Sequence, residues 1–173
     1  NSSGRIANAN NVVELFLSQN DDEIKKIIDK MINHNEIRKR IEQENLNLIN
    51  FKKYYNKNFL FIYNKEFHEG TIGIIAAKLS QLFHKPCFIV TESDSLLKCS
   101  IRSGNNVKIN KTINRLISKQ LIISGGGHDE AGGFTAKKEY LLNIEDFLKK
   151  EYENLNTKNY SYFDAYTAIP KKK

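Results

Sequence analysis

The run Ser124-Gly125-Gly126-Gly127-His128-Asp129-Glu130-Ala131-Gly132-Gly133 constrains this chain more than any other stretch. It follows the apolar triplet Leu121-Ile122-Ile123 and holds five glycines in nine residues. Glycine has no Cβ, so it accepts positive φ and lets another molecule come close to its backbone. Successive bare N–H groups form concave anion sites, and a histidine among them can donate to a phosphate or move a proton. Two readings stand side by side. One is a phosphate-binding turn with His128 as a titratable group at its edge; the other is a tight turn with an ordinary polar histidine. No Lys-Ser or Lys-Thr follows the glycines, which argues against a P-loop.

Around this run, strands alternate with helices. Residues 59–63, 87–90 and 96–103 read as strands, and 134–136 as another. Residues 70–83 read as a helix with Ile72, Ile75, Ala76, Leu79 and Leu82 inward, and 110–119 as one with Ile113, Leu116 and Ile117 inward. A last helix covers 144–152. The alternation predicts an α/β fold, a small mixed-sheet domain with flanking helices. Residues 1–50 read as helical. Asn10 or Asn11 caps a short helix carrying Val12, Val13, Leu15 and Phe16, and Asn20 with Glu23 forms a capping-box variant. Ile24, Ile27, Ile28 and Met31 then recur at helical spacing, opposite a charged face, including Arg38, Lys39 and Glu42, expected to be solvated. The expected division is a helical connector over 1–52, the sheet domain over 53–153, and a tail or the start of a following domain over 154–173.

The formal net charge of +7 favours an anionic partner. Cys87 and Cys99 read as reduced, buried thiols of a cytoplasmic protein, and with the four histidines they make no zinc spacing. No signal peptide or membrane-spanning run is present in the sequence. The start at Asn1 and the end at Lys171-Lys172-Lys173 read as cuts in a longer protein.

Three further segments are candidate sites. His68-Glu69-Gly70-Thr71-Ile72-Gly73 joins a strand to a helix, whose N-terminus suits an anion; it also reads as a plain strand–helix turn. Ser100-Ile101-Arg102-Ser103 ends a strand, and Arg102 offers a planar fork for phosphate; it also reads as an exposed arginine. Asn1-Ser2-Ser3-Gly4-Arg5 means little in isolation.

Together these segments resemble the RecJ-type single-strand-specific exonucleases of the DHH phosphoesterase superfamily. Asn1-Ser2-Ser3-Gly4-Arg5 resembles that family's Asn-Ala-Ala-Gly-Arg, and Asn35-Glu36-Ile37-Arg38 its Asn-x-x-Arg. His68-Glu69-Gly70-Thr71-Ile72-Gly73 resembles His-Pro-Gly-Val-Ile-Gly, Ser100-Ile101-Arg102-Ser103 matches Ser-Gly-Arg-Ser, and Gly126-Gly127-His128 opens a match to Gly-Gly-His-x-x-Ala-Ala-Gly. Departures are Ser2-Ser3 for Ala-Ala, Lys39 for a common Gln, Gly132 for Ala, and Glu69 for Pro, which sets a negative charge beside the expected anion site. The resemblance implies a fragment: the connecting helix and DHH-associated domain of a 5′-to-3′ single-stranded-DNA exonuclease acting in DNA repair and recombination. A DHH domain before Asn1 would hold manganese or magnesium, with no metal or other cofactor bound by this fragment. Arg102, Ser100, Ser103, Arg5, His68 and the backbone of Gly126 and Gly127 would hold phosphates, and His128 would face the metal site in a supporting role. Single-stranded DNA and the DHH domain are the implied partners. The alternatives are a DHH-family phosphodiesterase for short RNA or cyclic dinucleotides, the related domain of alanyl-tRNA synthetases, and a non-catalytic nucleic-acid-binding module.

Overall fold

A computed structural model describes residues 3–6, 10–104 and 107–153. The chain opens with three helices, α1 (Ser3–Ile6), α2 (Asn10–Leu17) and α3 (Asp21–Asn47). Asn20 caps α3: its Oδ1 accepts the Asp22 and Glu23 amides at 2.9 and 3.3 Å. The expected capping box closes through an intermediary. The Ser18 hydroxyl donates to Glu23 at 3.0 Å and accepts the Asn20 amide at 3.3 Å. Asp21, Asp22 and Glu23 complement the positive end of the helix dipole.

The charged face of α3 is not uniformly solvated, contrary to expectation. Glu42 is only 4% exposed, and its carboxylate takes Arg38 at 2.6 Å and Lys78. Asn45, also buried, donates to the Thr71 hydroxyl at 2.9 Å. The C-terminal half of α3 packs on α4 (Glu69–Phe83), and a buried charge is tolerated only when paired. The N-terminal half differs: Ile28 of the apolar stripe is 41% exposed.

Five strands follow: β1 (Leu60–Tyr63), β2 (Cys87–Ser93), β3 (Leu96–Arg102), β4 (Ser124–Gly127) and β5 (Ala131–Lys137). Their order is β1-β2-β3-β5-β4; β1 and β2 are parallel and the other pairs antiparallel. This is the mixed α/β fold expected. Asp94 and Ser95, with φ of 51° and 63°, make the two-residue turn from β2 to β3. One face of the sheet, with Leu60, Ile62, Cys87 and Ile89, buries against Ile72, Ile75 and Leu79 of α4. The other, with Phe88, Leu97, Ile101 and Phe134, buries against α5 (Ile109–Ser118) and α6 (Leu141–Tyr152). Period-two alternation along β2 separates the two cores, with Phe88 and Val90 in one and Cys87 and Ile89 in the other.

Three expectations need correction. The glycine run is an edge strand, and the turn is confined to residues 128–130. Leu82 is 65% exposed although it lies on the same face as buried Ile75, seven residues earlier, because it stands in the last turn of α4, where the helix ends. Ile117 is 44% exposed because it lies about 100° round the helix from buried Leu116. The expected tail over 154–173 lies outside the described residues, as do Asn1 and Ser2. Among the described residues, no helix is long and apolar enough to cross a membrane.

Candidate nucleic-acid interface

The candidate interface is built on β3. Leu97, Cys99 and Ile101 point into the core beneath α5 and α6, so Lys98, Ser100 and Arg102 point to the α4 face. Opposite them on β5 stand Thr135, Gly133 and Ala131, and beyond these on β4 stand Ser124 and Gly126. Small residues leave that part of the sheet uncovered beside α4. The result is a cleft of about 560 Å³ lined by Glu69, Ile72, Lys98, Ser100, Gly133 and Thr135, among others.

The glycines divide by face. A Cβ on Gly125 would lie 3.0 Å from Ile113, and one on Gly132 2.6 Å from it, so these two let α5 sit close to the sheet. A Cβ on Gly126 would meet nothing within 4 Å. Gly127, at φ 157°, closes the hairpin; a Cβ there would lie 2.3 Å from the Ala131 oxygen.

The turn is tied down on both sides. The His128 amide donates to the Ala131 carbonyl at 2.8 Å, Ser103 N–H to Glu130 at 2.9 Å, and Ile109 N–H to Asp129 at 3.0 Å. Lys108 pairs with Asp129 at 3.4 Å. The Ser103 amide is therefore committed to the turn. From the His128–Ala131 bond, antiparallel alternation commits the Gly126 amide to Gly133 and turns those of Gly125 and Gly127 to the free edge of β4. Of the two backbone donors expected, Gly127 is open and Gly126 is used. His128 is exposed, and its Nδ1 accepts the Glu130 amide at 3.4 Å, which leaves the proton on Nε2.

The sequence-derived site residues fall into two groups joined through β3. Arg102, Ser103, Gly127 and His128 share one end of the sheet. Arg102 pairs with Ala131, which pairs with His128, so the two are about two strand spacings, ~10 Å, apart. The half-buried Arg102 donates to its neighbour's carbonyl, that of Ile101, at 3.2 Å, and among the described residues no carboxylate pairs with it. Arg5, His68 and Ser100 form the second group at the start of α4. The His68 Nδ1 caps α4 by accepting the Gly70 amide at 3.0 Å. Arg5 donates to the Gly70 carbonyl at 3.4 Å. A Cβ on Gly73 would lie 3.2 Å from the Ser100 hydroxyl and 3.7 Å from the Arg5 guanidinium, so all three converge.

Sequence reasoning passed over Lys98, Ser124 and Thr135, which line the cleft. The alternation Lys98, Ser100, Arg102 is the signal that could have found Lys98. Arg38 lines a separate cleft of about 660 Å³ with Arg5 and Asn35, whose Oδ1 accepts from Arg38 at 3.2 and 3.3 Å. Among the described residues, no three His, Cys, Asp or Glu side chains gather to hold a metal ion. Cys87 and Cys99 are free and buried; burial raises both thiols well above their ordinary range, which makes them inert core groups.

The fold is shared with known proteins. The single-stranded-DNA-specific exonuclease RecJ of Haemophilus influenzae is 26% identical over 161 residues, 87% of this chain and 28% of its own length. That of Bacillus subtilis is 23% identical over 171 residues, 91% of this chain and 20% of its own. The chain thus spans about a quarter of the length of these relatives. Among solved structures, an exonuclease RecJ bound to manganese superposes with a TM-score of 0.78 at 20% identity, over 89% of this chain and 38% of its own. RecJ of Thermus thermophilus in complex with Mn2+ gives 0.79 at 19%, over 88% and 22%. These likenesses carry the fold. The DHHA1 domain model matches residues 56–156, more than half of the chain, and the chain belongs to the DHHA1 domain family.

Proposed function

We propose that this chain is the strand-holding part of a RecJ-like, 5′-to-3′ single-stranded-DNA exonuclease. Residues 1–52 are its connector, 53–153 its DHH-associated domain, and 154–173 a tail or the start of a further domain. The hydrolytic centre belongs to a DHH domain of the same protein, where bound manganese or magnesium supplies the activated water. The enzyme works in the cytoplasm in DNA repair and recombination.

The observation that carries this reading is Arg102. Arg102 is half-buried, donates to the Ile101 carbonyl and, among the described residues, has no carboxylate partner, so its planar fork is left to take an anion. It shares one face of β3 with Ser100, two residues away, opposite Ala131 and Gly133 on β5, and a phosphate on that face is held between the two. Arg5 and the Nε2–H of His68 extend the track at the start of α4. The outward amide of Gly127 and the Nε2–H of His128 extend it at the other end. His128 faces the DHH domain as a donor rather than a base, since its Nδ1 is occupied by the turn.

The test is incubation of the purified chain with a 5′-labelled single strand and manganese. The expected result is binding that weakens about tenfold to a hundredfold in Arg102→Ala, the loss of one charge-assisted contact, with the strand left uncut. Metal-dependent cleavage that vanishes in His128→Ala would put the active site here and overturn the division of labour.

A further inference from the structure

A third cleft lies at the other edge of the sheet and on its other face. It encloses about 230 Å³ between β1, the 3-10 turn Phe51–Tyr54 and α6. Leu60 and Ile62 of β1 bury under α4, so Phe61 turns to the opposite side, with Phe59. Tyr54, Phe59 and Phe61 are the apolar walls, all half-buried. Lys53 and Lys57 stand exposed at the opening, Lys53 with its ammonium 5.8 Å from the centre of the Tyr54 ring. Among the described residues neither lysine forms an ion pair. Lys149, on α6, is held by Glu145 at 3.2 Å and Asp146 at 3.1 Å. With Lys149 paired, Lys53 and Lys57 leave the mouth of the cleft positive.

We propose that this cleft is a second contact for single-stranded nucleic acid, holding one unpaired base against the aromatic walls and its flanking phosphates on Lys53 and Lys57. Aromatic walls with free cations at the mouth are the chemistry that holds single strands without sequence preference. As the sheet edge, β1 also presents backbone groups able to bond the edge of an inserted base. The volume admits one base and excludes a duplex. The inference rests on the reading that this chain holds single strands, and it adds an anchor beyond the Arg102 contact.

The test is fluorescence anisotropy with a labelled oligothymidine of about 30 nucleotides, on the whole chain, with Lys53→Glu/Lys57→Glu beside Arg102→Ala. Both lysines are exposed, so the double variant folds. It is expected to bind about tenfold or more weakly and to show a shallower salt dependence, because it loses two phosphate contacts. In an Arg102→Ala background, a short oligothymidine is expected to shift the amide resonances of residues 53–61 and 145–149. Wild-type affinity in the double variant, with Arg102→Ala weakened, would overturn the second contact and leave the first reading standing. Failure of every form to bind would overturn both. Shifts produced by an acidic peptide and not by the oligothymidine would assign the cleft to a protein partner instead.

Discussion

Neighbouring glycines on one hairpin should respond oppositely to the same substitution. In Gly132→Ala the new methyl would lie 2.6 Å from Ile113 Cδ1 and 2.9 Å from the Gly126 oxygen, where non-bonded carbons settle at about 3.5–4.0 Å. The isoleucine tip can swing away, but the Gly126 carbonyl is fixed by its strand. Overpacking of this kind costs about 1–3 kcal/mol, and the stiffer unfolded chain returns about 0.4–1 kcal/mol, so a net loss of roughly 1–2 kcal/mol is expected. In Gly126→Ala the methyl meets nothing within 4 Å, and only the favourable term applies. The two variants should differ by about 2 kcal/mol, or ~4–8 °C in Tm for a chain of this size. Circular dichroism of thermal and urea unfolding reads this difference. Anisotropy with a labelled single strand should reverse the order of damage: Gly126→Ala, stable but with a methyl on the uncovered face opposite Gly133, should bind several-fold more weakly. If Gly126→Ala were as destabilised as Gly132→Ala, the assignment of the two glycines to opposite faces would be wrong.

Gly70→Ala would place a methyl 1.7 Å from the Arg5 carbonyl oxygen, forcing α1 off the start of α4. Single-strand affinity should fall as far as in Arg5→Ala, the two losses should not add in the double variant, and Tm should barely move, all read by titration and melting of the three proteins. Burial pushes the Tyr152 phenol up to about 12, against a smaller opposing effect of its bond to Thr112. The fold therefore favours the neutral phenol. That stability is fully present below pH 10 and is lost as pH rises from about 10 to 12. Urea midpoints measured across this window should fall, and fall less steeply in Tyr152→Phe; the raised Cys87 and Cys99 thiols keep part of the loss in the variant.

The sheet domain was legible because its strands and helices carry clean periods. Leu97, Cys99 and Ile101 alternate with Lys98, Ser100 and Arg102, and Ile72, Ile75 and Leu79 recur at helical spacing. β4 was not legible. Glycines have no side chains with which to display a period of two, and their strand propensity is low, so Ser124–Gly127 read as a turn. The burial of Arg38 and Glu42 was hidden as well. Charged residues on a long helix normally mean solvent, and the partner that covers Glu42, Lys78 on α4, stands 36 residues away in sequence. Ser100 and Arg102 could be named from their motif, but the meeting of Arg5, Gly73 and Ser100 is a long-range contact that no local pattern encodes.

The most direct test of the proposed phosphate contact at Arg102 is the salt dependence of single-strand binding, compared between the wild-type chain and Arg102→Ala. Each phosphate contact on a single strand contributes a slope of about −0.7 to log affinity against log salt. The account predicts a straight line for the wild type, and for Arg102→Ala a weaker affinity with a slope shallower by ~0.7. Binding that does not change with salt, or an Arg102→Ala line that coincides with the wild type, would contradict it.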